Sequence, residues 1–134
     1  MTELFSDEWM QKYLKEWNRD SELVDGLKKA KFSGNITYGY VDDEAPLGII
    51  EISKGRAVYA GHYKDEKIDW DLRATKESWT KWLSHGLGMM ALGMAYTSRK
   101  MHFRKGDYKA MVKSPTLAKP FVRSFNVMGN VKID

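Results

Sequence analysis

Apolar positions recur at helical spacing near the start of the chain, where Trp9, Met10, Tyr13, Leu14 and Trp17 form one stripe. Ser6 or Asp7 can cap this helix, and the acids of its first turn suit the helix dipole. Asp20 or Ser21 restarts a short second helix through Leu23, Val24 and Leu27. From Phe32 the period shortens to two. Ile36, Tyr38 and Tyr40 alternate with Thr37, Gly39 and Val41, and Asp42-Asp43-Glu44 turns the chain. Residues 48–52, 57–63 and 68–74 predict three more strands, separated by Lys54-Gly55 and by Lys64-Asp65-Glu66-Lys67. Connections this short predict an antiparallel four-strand meander.

Helical spacing returns after Thr75, a cap for a helix carrying Trp79, Trp82, Leu83 and Leu87 on one face, with Gly86 or Gly88 as its stop. Residues 89–96 are apolar all round, which predicts a short helix buried on most sides. Residues 100–105 predict a fifth strand. Asp107 caps terminal helical sequence interrupted near Pro115 and Pro120. The fold class expected is α+β: one mostly antiparallel five-stranded sheet covered by helices on one face. A single domain spans 1–134, with N-terminal helices in 1–31, the meander in 32–75, and helices plus a fifth strand in 76–134.

Length and composition narrow the class. The 134 residues suffice for one core, and 43% hydrophobic with 30% charged residues is a globular composition. The absence of cysteine excludes disulfides, thiol nucleophiles and cysteine-ligated metals. The N-terminus does not read as a secretory signal, and the longest apolar run is about half of the ~20 residues that cross a bilayer, so a cytoplasmic protein is expected. Net charge is +4, unevenly placed: residues 99–134 hold nine Lys/Arg against Asp107 and Asp134. That asymmetry predicts either an electropositive surface toward phosphate or anionic lipid, or simply solvated helices.

Candidate chemistry is sparse. Asp69, Asp71 and Arg73 share one strand face, the arrangement that paired carboxylates need for acid–base work, but also the polar face of any half-buried strand. His62, His85 and His102 lack metal-ligand spacing, so no metal and no cofactor are expected. Nucleic-acid binding would use the basic C-terminal third, yet Phe121, Val122 and Phe125 read as a core stripe. The most unusual stretch, residues 87–96, concentrates three of the eight methionines with two glycines interleaved. It reads as a packed core helix or as the pliable wall of an apolar cavity.

Three stretches together carry a family resemblance. They are Ile68-Asp69-Trp70-Asp71-Leu72-Arg73-Ala74-Thr75, the helix through Trp79, Trp82 and Leu83 to Gly86, and Ala95 through Lys100-Met101-His102-Phe103 to Gly106-Asp107. In element order from about Phe32 to Met128 the chain resembles the sterol carrier protein 2 family. Arg99 stands where that family usually has glycine, and the stretch before Gly106 is one residue longer than in many members, which points to a local bulge. The resemblance implies an apolar tunnel between sheet and helices, and binding of a sterol, fatty acid, acyl-CoA ester or similar lipid without catalysis.

On that basis Trp82, Leu83, Met89, Met90, Met94 and Phe103 are candidate wall residues, with Phe121, Phe125 and Met128 as a gate. Lys100, Arg104, Lys109, Lys113 and Arg123 are candidate contacts for an anionic headgroup or membrane surface. Two alternatives remain: an enzyme of lipid or steroid metabolism using Asp69, Asp71 and His102, and a substrate-presenting or oligomerising module beside such an enzyme.

Overall fold

The computed structural model describes residues 3–131. Two helices open the chain, α1 (Asp7–Arg19) and α2 (Ser21–Lys29), capped by the side chains of Ser6 and Asp20. Strands β1 (Gly34–Tyr40), β2 (Gly48–Ser53), β3 (Arg56–His62) and β4 (Trp70–Ala74) follow. Then come α3 (Lys76–His85), α4 (Met89–Thr97), β5 (His102–Lys105), α5 (Tyr108–Lys113) and α6 (Pro115–Met128). The sheet order is β3-β2-β1-β4-β5.

The expected four-strand meander is corrected to three strands. β4 does not return beside β3; it pairs parallel to β1, with Ile36 opposite Trp70 and Tyr40 opposite Ala74. Alternation specifies which face a side chain takes, not which strand becomes its neighbour. The register lets a short link make the crossing, because Ala60, Ile50, Ile36 and Trp70 lie in one row across the sheet. The link ends with the Asn35 N–H donating to the Asp69 carboxylate at 2.8 Å. All other pairings are antiparallel.

The anticipated bulge is present. Asp71 pairs with Lys105 and Leu72 with Phe103, so Arg104 is the extra residue. Pro115 takes the first turn of α6, whereas Pro120 lies inside that helix without ending it. Its ring packs so closely on α2 that a Cβ at Gly26 would meet it at 2.9 Å.

The core between sheet and helices is aromatic. Phe5 contacts Trp9, Tyr38 and Trp79, and Tyr13 contacts Trp9, Trp17 and Tyr38, with ring centroids 5.1 to 5.9 Å apart. Two of the buried indoles find backbone partners, Trp17 Nε1 donating to the Gly55 carbonyl and Trp79 Nε1 to that of Gly39, both at 2.9 Å, whereas buried Trp9 Nε1 has none. Burial pushes the phenols of Tyr13 and Tyr38 up from their ordinary value.

Helix α1 also seals the outer edge of the sheet. Asn18 both donates to the Ala57 carbonyl and accepts from its N–H, Gln11 donates to the Ala60 carbonyl, and Asp7 accepts from the His62 N–H. On the opposite face Arg73, 1% exposed, grips Asp71 through two hydrogen bonds of 2.7 and 3.2 Å. It also donates to the carbonyls of Tyr40 and Asp43, so the pair pins the β1–β2 loop.

Candidate functional site

Helix α4 departs most from the ordinary pattern of one apolar and one polar face. Its sequence, MMALGMAYT, contains no charged residue. At 100° per residue Leu92 and Ala95 turn inward and are buried, which leaves the other side of the helix to methionine. Met89, Met90 and Met94 are 44%, 81% and 67% exposed. The expectation that this helix is buried on most sides is therefore corrected. All-round apolarity indicates full burial only where other elements cover every side, and the sheet and helices cover one side of α4.

The two ends of α4 are held differently. Upstream, Gly86 ends α3 at φ 85°, and Gly88 begins α4 with no side-chain cap. Downstream, the Arg99 N–H donates to the Tyr96 carbonyl at 3.2 Å and the Lys100 N–H to that of Ala95 at 2.8 Å, the paired bonds of a Schellman stop. Arg99 supplies the left-handed residue at φ 63°. Tyr96 stacks on Tyr108 with centroids 3.8 Å apart, and Phe103 meets both rings edge-on. Burial and the neighbouring Tyr96 push the Tyr108 phenol up.

Grooves flank this helix. One of about 510 Å³ lies toward α5, lined by Met90, Gly93, Met94 and Tyr108. Another of about 360 Å³ lies toward α3, lined by Trp82, His85, Met94, Ala95, Lys81 and Lys100. Around β5 a third, about 550 Å³, is bordered by Tyr96, Arg99, His102, Phe103 and Arg104. A fourth, about 630 Å³, separates α2 from α6 and includes Arg123.

The residues expected as walls divide into three groups. Trp82, Leu83 and Phe103 are half-buried against the core, whereas Met89, Met90 and Met94 face outward. Phe121, Phe125 and Met128 lie on the inner face of α6, at most 3% exposed, among core residues rather than at an opening.

The expected cations divide as well. Arg123 donates to both oxygens of Asp20 at 2.8 and 3.0 Å and approaches Glu22 at 2.7 Å, so it clamps α6 to α2. Arg104 donates to the carbonyls of Val41 and Asp43. Lys100, Lys109 and Lys113 are exposed. Lys81, Arg99 and Tyr108 were missed. The signal that could have found the two cations is an acid-free run: no Asp or Glu occurs from Ser78 to Gly106.

The carboxylates proposed for acid–base work have structural partners. Asp71 is held by Arg73, and Asp69 accepts from the Asn35 N–H with Lys67 3.7 Å away. Exposed His102 pairs in register with Arg73, not with either carboxylate. Among the described residues no cluster of His, Asp or Glu could hold a metal ion, and no helix is long and apolar enough to cross a membrane.

No protein-family model and no curated protein sequence matches the chain. Solved structures do. Sterol carrier protein 2 superposes with a TM-score of 0.78 at 17% identity, over 97% of this chain and 100% of that one. A Thermus thermophilus protein, described as a conserved hypothetical protein and candidate sterol carrier, gives 0.68 at 16% identity over 98% and 88%. A UbiJ-SCP2 ubiquinone synthesis protein gives 0.56 at 12% identity over 85% and 82%.

Proposed function

We propose that this chain, which has the fold of sterol carrier protein 2, is a non-catalytic carrier in the cytoplasm for a sterol, fatty acid, acyl-CoA ester or similar lipid. The observation that carries the reading is α4, a helix without a polar face, laid between two grooves of about 510 and 360 Å³. Ligand sites commonly fall within about 300–1,000 Å³. Because aromatic rings fill the space beneath α1, the reading puts the ligand beside α4, against half-buried Trp82, where the groove toward α3 opens. An apolar ligand reaches that wall when α4 lifts about its tyrosine-anchored end. No cofactor is needed, because the gain comes from apolar burial, about 25 cal/mol per Å².

Titration with fatty acids of increasing length tests the reading. Affinity should rise about fourfold per added methylene until the wall is filled, as ~0.8 kcal/mol per buried methylene requires. Met94→Trp, which crowds both flanking grooves from an exposed position, should weaken binding at least tenfold without lowering the melting temperature. Binding that is absent, or indifferent to chain length, would sink the carrier reading. Turnover of a lipid ester by the purified chain would favour an enzyme instead, against the structural engagement of Asp69 and Asp71.

A second reading, a module that presents substrate to an enzyme, draws on the likeness to the ubiquinone synthesis protein and on the same exposed helix. Stable co-purification with an enzyme would support it.

A further inference from the structure

Among the described residues five large apolar side chains stand exposed, and three of them, Met89, Met90 and Met94, belong to α4. Met90 and Met94 line one groove, with Met89 next to them in the chain, and an apolar patch exposed in this way calls for an occupant. Its surroundings carry one sign of charge. The acid-free run from Ser78 to Gly106 contains Lys81, Arg99, Lys100, Arg104 and Lys105. Arg104 and Lys105 are engaged with the carbonyls of Val41, Asp43 and Ile68. The other three are exposed, with Lys81 and Lys100 beside Met94 in one groove and Arg99 beside Tyr96 in the next.

We propose that α4 is a membrane-docking helix: its methionine face enters an anionic lipid surface while Lys81, Arg99 and Lys100 contact headgroup phosphates. The proposal deepens the carrier reading, from which it takes its purpose; it shares the apolar helix with that reading and adds the cations around it. Apolar side chains ringed by cations match the two layers of such a surface, acyl chains below and phosphates above. Unbranched, flexible methionine suits an irregular surface better than a fixed socket. Size argues against a stable protein partner. Three partly exposed methionines on a nine-residue helix offer much less apolar surface than the core of a standard interface, which buries roughly 800 Å² per side.

The test is co-sedimentation of the full chain with vesicles of phosphatidylcholine alone or with about 30% phosphatidylserine. Binding is expected only to the anionic vesicles, and should be lost when salt is raised from ~0.1 to ~1 M. Met89→Asp with Met90→Asp should reduce it at least tenfold. The fold should survive, since both positions are exposed and open a helix where acids are favoured. Lys81→Gln and Lys100→Gln should each cost about fivefold, and Lys29→Gln, in the α2–α6 groove, should cost nothing.

Wild type that ignores anionic vesicles, or a methionine double variant that binds them equally, overturns the proposal. So does a wild-type dimer that the double variant turns into monomer, because the patch would then meet a second copy. A parallel titration of wild type with a fluorescent fatty acid, without vesicles, separates the two readings. Fatty acid bound without vesicle binding removes the docking helix alone; vesicle binding without fatty acid removes the carrier alone.

Discussion

Arg99 stands in the left-handed region at φ 63°, where a Cβ costs on the order of 1 kcal/mol. Arg99→Gly should therefore raise stability by roughly 0.5–1 kcal/mol, and Arg99→Val should lower it, as read from urea midpoints. A lower midpoint for the glycine variant would show that the arginine side chain contributes more than its backbone costs. This position was legible as an anomaly, an arginine where the resembling family has glycine. The outward turn of Met90 and Met94 was not legible. Every position of α4 is apolar, so no polar residue marked the solvent side. Arg123 was counted with the surface cations because a charge census cannot see that Asp20, far away in sequence, faces it.

Between elements, the Asp20–Arg123 pair joins α2 to α6 and can be isolated by substitution. The Asp20 carboxyl caps α2 and is held below its ordinary value, first by the hydrogen bonds from Arg123. A lowered folded-state value means stability that is complete above the unfolded value, about pH 4, and lost as the pH falls through the folded one. Asn caps a helix as well as Asp does, so Asp20→Asn keeps the cap while removing the charge and one of the two oxygens that accept from Arg123. It should cost about 0.5–1 kcal/mol at neutral pH, as a partly exposed pair does, and its stability should fall less steeply than wild type below pH ~4. Equal slopes would assign the acid sensitivity elsewhere. Element boundaries were largely readable, because Ser6, Thr75, Asp107 and Gly86 act locally. The parallel partner of β4 was not, since a strand's neighbour is chosen across the fold.

For the molecule as a whole, stability should be uneven. α1 buries Trp9, Met10, Tyr13 and Trp17, whereas α4 buries only Leu92 and Ala95. Backbone amides of Leu92 to Ala95 should exchange with deuterium well before those of Met10 to Tyr13, in a local opening rather than global unfolding. Equal protection of the two helices would remove the moving cover that the carrier reading requires. The uneven charge was legible from counting alone, but its relation to the methionines emerged only once α3, α4 and β5 were placed together.

The crossing from β3 to β4 has a consequence during synthesis. The outer edge of β3 is sealed by α1, which precedes it in the chain. The free side of β1 waits for residues 70–74, since Asn35 and Asp69 are 34 residues apart. A chain stalled or cleaved before Trp70 would thus present β1, from Ile36 to Tyr40, as a bare template for pairing with another chain. Truncation products of this protein should aggregate through a strand that lies at the centre of the finished sheet.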